Sequence, residues 1–184
     1  MIIIKSDRSD NDKNIKWTIT ITIVTFFISM LLSLLTADVI QNLSWYYSVI
    51  VLFIMIFLGV VFDILGIAIA TAEETPFHAL AAKKEKGAKQ AIKLIRNAEK
   101  MSNIFNDVVG DIAGIISGST TASIIAYVIY ITSSDNDMLI TVIITALTAA
   151  LTVGGKALGK SFAIKNANSI VYGFSKAISF FNRG

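Results

Sequence analysis

Every lysine and arginine in this chain falls into one of three blocks, and long apolar runs separate the blocks. Four stand before Trp17 (Lys5, Arg8, Lys13, Lys16), seven lie between Lys83 and Lys100, and five lie from Lys156 onward. Basic residues near membrane helices collect on the cytosolic side, so such a partition is a statement about topology. The apolar runs at about 17–37, 47–71, 108–131 and 138–158 are each long enough to cross a hydrocarbon core of about 30 Å at about 1.5 Å per residue. Four crossings put both termini on one side. All three basic blocks then share that side, and the short connections at 41–46 and 133–137 contain no Lys or Arg. A wrong span count would scatter the basic residues over both faces. The expectation is an all-α integral membrane protein with four transmembrane helices, multi-pass in the cell membrane with both termini cytosolic. A signal peptide is the rival reading of the first run. Its apolar core would be about 7–15 residues, and this run is longer and lacks a small-x-small cleavage site.

Composition agrees. Of 184 residues, 54% are hydrophobic and 16% charged, against about 25% charged in soluble domains. The chain has no Cys, so no disulfide framework, thiolate nucleophile or Cys-ligated zinc is available. His78 is its one histidine, which excludes a multi-His metal site. A net charge of +3, distributed as above, points to a lipid bilayer and not to nucleic acid.

Between the second and third runs the pattern changes. Glu73-Glu74-Thr75-Pro76 reads as a helix start, with Thr75 as N-cap and Pro76 in the first turn. Phe77, Leu80, Ala81, Ala88, Ala91, Ile92 and Ile95 recur at helical spacing, and Gly87 breaks the stretch in two. This predicts a basic, juxtamembrane helical hairpin over 75–104, lying on the inner membrane surface or solvated in the cytosol. Residues 161–184 read as a C-terminal amphipathic helix and residues 1–16 as a cytosolic N-terminal tail; the transmembrane domain proper is 17–160.

Gly154-Gly155-Lys156-Ala157-Leu158-Gly159-Lys160-Ser161 fits the phosphate-loop pattern G-x-x-x-x-G-K-[ST]. That loop needs a short strand before it and further strands after it. Here a helix-length apolar run precedes it and only 23 residues follow Ser161. The match is read as chance, and no nucleotide is expected.

Three ionisable residues fall within or at the ends of the runs: Asp63, Asp111 and Lys156. Each would cost about 2.5–3.5 kcal/mol or more at the bilayer centre, so each should face the bundle and find a partner. Counting from the outer ends, Asp63 lies about 24 Å in and Lys156 about 27 Å in, with Asp111 about one turn from the inner face. A Lys156–Asp63–Asp111 charge cluster is one expectation; Lys156 snorkelling to the cytosolic headgroups is the other. Gly110, Gly114 and Gly118, followed by Ala122 and Ala126, form a small-residue ridge that predicts close helix packing.

The last three runs resemble the transmembrane domain of the CNNM/CorC (CorB) divalent-cation transporters. Phe62-Asp63-Ile64-Leu65-Gly66-Ile67-Ala68-Ile69 takes the place of that family's first-helix motif, Gly110-Asp111-Ile112-Ala113-Gly114-Ile115 that of its second, and Gly155-Lys156-Ala157-Leu158-Gly159-Lys160-Ser161-Phe162-Ala163-Ile164-Lys165-Asn166-Ala167 that of its third. The resemblance covers about residues 47–180. It implies a homodimer that takes part in Mg2+ or other divalent-cation transport and is not an enzyme. It also implies that Asp63 and Asp111 supply metal ligands, with Lys156 as gate or internal counter-cation. This sequence departs from the family where the family binds Mg2+. A Ser is Asp63 here, an Asn is Asp111, the third-helix Glu is Lys156, and the first-motif Glu is Gly66. Nothing in these residues matches the family's nucleotide-binding CBS pair. The alternative is a transport-inactive membrane accessory or binding protein, keeping the fold and serving an unidentified membrane or cytosolic partner.

Overall fold

A computed structural model describes residues 15–31, 33–34, 44–132 and 136–181, and among them there is helix and turn but no strand. The helices are α1 (Ile15–Leu31), α2 (Trp45–Thr71), α3 (Thr75–Ala82), α4 (Ala88–Arg96), α5 (Ala98–Asn103), α6 (Gly110–Thr132), α7 (Asp137–Lys165) and α8 (Ala167–Phe181). Three stretches are long and apolar enough to cross a membrane: Trp45–Thr71, Ala98–Thr132 and Asp137–Lys165. α1 is apolar but shorter. The rest of the expected first span, residues 32 and 35–37, lies outside the described residues, as does most of the N-terminal tail.

α2 is the axle, with α6 and α7 packed along it. Small residues allow the approach. A Cβ at Gly155 would lie 2.9 Å from Val60 Cγ2, and one at Gly159 would lie 2.9 Å from Ile64 Cγ1. On another face of α2, Gly59 meets Ala113 and the Phe62 ring stacks on Phe105 at 5.9 Å. At the opposite end from the hairpin, Trp45 stacks on Tyr127 with centroids 5.6 Å apart, in keeping with an aromatic belt at a headgroup layer.

α5 does not end at Asn103. The backbone passes through a π-helical segment, Ile104–Val109, straight into α6. The third membrane stretch therefore begins in the basic block, ten residues before the expected 108. A π segment inserts backbone into a helix and re-aims the side chains on it. Here it carries Phe105 onto Phe62 and onto Phe174 of α8.

The best-buried core is at the end of the bundle that carries the basic hairpin, not midway along the long helices. Ala68, Ile69, Phe77, Ala91, Ala163, Ala167 and Val171 form it, from the inner ends of α2 and α7 and from α3, α4 and α8. The apolar residues Phe77 and Ala91, expected on a membrane surface or in water, are buried inside this cluster, and Ala88 is fully buried as well. α8 gives them a protein partner. Gly87 makes this fit possible: its φ is +86°, and a Cβ on it would sit 2.8 Å from the Lys176 backbone nitrogen. Glu74 closes the base of the hairpin, accepting from Arg96 Nε at 2.7 Å and facing His78 Nε2 at 2.8 Å. Asn168 Oδ1 accepts from the Glu73 amide at 2.9 Å, tying α8 to the end of α2.

Two boundaries differ from expectation. α3 starts at Thr75 with Glu74 in the cap position and no side-chain cap bond, because the Glu74 carboxylate is turned toward Arg96 and His78. α7 runs on to Lys165, so the C-terminal helix starts at Ala167 and not at 161. The glycines within α7 do not break it, since two of them pack on α2. The break comes at Asn166, whose side-chain amide donates to Phe162 O at 3.0 Å.

Candidate functional site

α6 and α7 both follow α2 but lean apart from each other, leaving a cavity of about 580 Å³ walled by the three helices. Gly114, Gly118 and Ala122 line it, and a Cβ on Gly114 or Gly118 would meet nothing within 4 Å. Within the chain the expected packing ridge is thus a cavity wall for most of its length. The close helix contacts fall on Gly59, Gly155 and Gly159 instead. Gly110 is in contact, though with a side chain: a Cβ there would lie 3.6 Å from Lys156 Nζ.

Hydroxyls dominate the polar lining. Thr141, Thr145, Thr148 and Thr152 follow one another along α7 at helical spacing, facing Ser117 and Thr121 of α6. Most of them donate to the carbonyl four residues back: Ser117 to Ala113, Thr121 to Ser117, Thr141 to Asp137, Thr148 to Ile144 and Thr152 to Thr148, all at 2.8–3.0 Å. A hydroxyl whose proton is committed to its own helix presents oxygen lone pairs to whatever lies beside it. Such a wall accepts hydrogen bonds from water or an ammonium and suits a hydrated cation.

Two opposite charges stand at the end of this cavity nearer the basic hairpin. Asp111 and Lys156 both line it, and Lys156 Nζ lies against Gly110. Asp63 does not line it. It is half-buried on α2, four residues after Gly59 and three after Val60. At about 100° per residue this places it between the line that meets α6 and the line that meets α7. Lys156 and Asp111 therefore line one cavity, and Asp63 is not in its lining. No ion pair within 4.0 Å joins Lys156 to either carboxylate among the described residues.

The phosphate-loop pattern is helical from end to end. Gly154 to Ser161 lies inside α7, so no loop is present to wrap a phosphate.

One residue escapes a reading from sequence. Asn106, in the π segment, has a buried Oδ1 with no hydrogen-bond partner, and it occupies the space where a side chain on Gly66 would begin. A buried, unsatisfied carbonyl oxygen is costly and calls for an explanation. The available signal was an Asn in an apolar stretch at the same depth as a glycine on α2.

The chain matches the family model described as the cyclin M transmembrane N-terminal domain (CNNM) over residues 50–183. No curated protein and no solved structure matches it significantly.

Proposed function

The chain belongs to the cyclin M transmembrane (CNNM) family, a family of membrane proteins associated with divalent-cation transport, and we propose that it moves Mg2+ or a related divalent cation through the α2–α6–α7 cavity. The observation that carries this reading is the placement of Asp111 and Lys156 together at the inner end of a hydroxyl-walled cavity. A hard cation takes oxygen ligands, and Mg2+ keeps several of its waters. Asp111 offers the charge, and the serine and threonine oxygens can accept from the retained waters. An unaccompanied carboxylate within a span is costly, so Asp111 needs a positive partner in every state. Lys156 is that partner when the cavity holds no ion. Its long stem lets the ammonium swing toward the cytosolic headgroups, giving up its place to an arriving cation. Asp63, between the same two helices, is a second carboxylate on the path. The orientation that goes with this reading has both termini cytosolic in the cell membrane, and the assembly is a homodimer, as in related transporters.

The test is Mg2+ flux into liposomes holding the purified protein and an entrapped Mg2+-sensitive dye. Wild type should carry Mg2+ and Asp111→Asn should not. Equal flux in both would remove Asp111 from the path.

A second reading rests on Lys156 itself. Its ammonium lies against Gly110 in the same cavity as Asp111, and among the described residues no group of three His, Cys, Asp or Glu side chains converges to hold a metal. A protein that keeps the fold and has lost transport would show these features. Wild-type liposomes without flux would favour it.

A further inference from the structure

On the cytosolic face, away from the cavity just described, the α3–α4 turn and α8 enclose a cleft of about 1070 Å³. We propose that this cleft binds a phosphate group carried by an anionic ligand. Lys84, Lys86 and Lys89 reach it from the hairpin, and Lys176 and Ser179 from α8, with Glu85 the sole acid in the lining. Four ammonium groups around one cleft repel one another, and an anion between them relieves that repulsion. None of the four is in an ion pair among the described residues, where the ion pairs are those of Glu74 with His78 and Arg96.

The backbone holds these lysines in fixed register. α3 ends in a Schellman turn: Glu85 N donates to Leu80 O and Lys84 N donates to Ala81 O, each at 3.0 Å. The left-handed position in that turn, where glycine is usual, is Lys84, at φ +57°. Three residues later Gly87, also left-handed, seats the turn directly on the backbone of Lys176. The turn lysines are therefore fixed against α8. Gly87 also caps α4 without a side chain; Ala88 N donates to Glu85 O at 3.3 Å, and Lys89 and Gln90, the next residues of that first turn, line the cleft. Phe180, 79% exposed on the rim, adds an apolar edge.

A phosphate of this kind can come from a phospholipid headgroup or from a soluble phosphorylated molecule. Two arms separate them. The first is thermal stability of the full chain in detergent, titrated with inorganic pyrophosphate. The second is thermal stability in phosphatidylcholine nanodiscs with and without phosphatidylglycerol. Lys84→Gln, Lys89→Gln and Lys176→Gln should each weaken the response about fivefold, the value of one lysine near an anionic surface. Lys93→Gln, on α4 but outside the cleft, should leave it unchanged. A pyrophosphate response assigns a soluble source; a response to phosphatidylglycerol alone assigns a lipid. No response in either arm overturns the proposal, as does an equal loss in the Lys93 variant, which would mean diffuse surface charge. Unligated melting temperatures of the variants, compared with wild type, separate lost binding from lost folding.

Discussion

Asn106 stands in the place of a side chain that Gly66 does not have. A Cβ on Gly66 would fall 2.6 Å from the Asn106 side-chain carbonyl carbon and closer still to its oxygen. By the resemblance of its motif to the CNNM/CorC group, Gly66 takes the place of a glutamate. The departure on α2 and the π segment before α6 are thus one feature: backbone inserted into one helix fills space left on another. Gly66→Ala should cost about 1–3 kcal/mol through overpacking, read as a lower melting temperature in detergent. Gly66→Ala/Asn106→Ala should recover most of that loss, because the two residues share one space and their effects are then non-additive. Additive losses would separate them.

Gly87 and Gly173 should respond to alanine with opposite signs. Gly87 is left-handed and lies against the Lys176 backbone, which cannot swing aside as a side chain can. Left-handed backbone costs a non-glycine residue about 1–2 kcal/mol, and the contact adds to it, so Gly87→Ala should lower stability by about 2 kcal/mol or more. Gly173 is within α8 with nothing within 4 Å of a Cβ. There alanine should raise stability by up to about 1 kcal/mol through helix propensity. Paired thermal melts check both.

Stability should fall on acidification through Glu74. Its hydrogen bond from Arg96, and to a lesser degree that from His78, hold its carboxyl below the ordinary value of 4.5. A carboxyl depressed in the folded state stabilises fully above its unfolded value. That contribution is lost as pH falls through the lower folded value. Melting temperature measured from pH 6 downward should therefore drop more steeply in wild type than in Glu74→Gln, the wild-type advantage starting to close near 4.5 and shrinking below it. Parallel curves would show that the clasp at the hairpin base carries no proton-linked stability.

The membrane class of this fold was legible because it rests on charges that cannot be hidden. The lipid core demands long apolar helices, and the basic blocks mark their ends. The hairpin and its break at Gly87 were legible for a similar reason, since glycine and helical spacing act locally. The rest depended on partners far away in sequence. Nothing near Phe77 or Ala91 announces that α8 will cover them, because Val171 lies in a different basic block. The Gly110–Gly114–Gly118 spacing marks a face of small residues. Whether that face holds a helix or a cavity depends on how α7 leans, and Gly155 and Gly159 set this by packing on Val60 and Ile64. The π segment has no composition signature of its own, so Asn106 could not be placed. Asp111 and Lys156 were expected near one another from depth, and both line one cavity, while Asp63 shares the cavity-facing side of α2 but lies one turn past Gly59, the last α2 residue in the lining.

Central to the account is Lys156 as a tethered cation that competes for Asp111. Isothermal titration of Mg2+ into the full chain in detergent tests it most directly, comparing wild type, Lys156→Met and Lys156→Met/Asp111→Asn. Removing the ammonium should tighten Mg2+ binding by about tenfold or more, a gain of about 1.4 kcal/mol, and removing the carboxylate as well should abolish it. Lys156→Met leaves Asp111 without its positive partner, so without Mg2+ it should melt below wild type and should recover when Mg2+ is added. Mg2+ affinity that is unchanged in Lys156→Met, or heat that survives the loss of Asp111, would contradict the account.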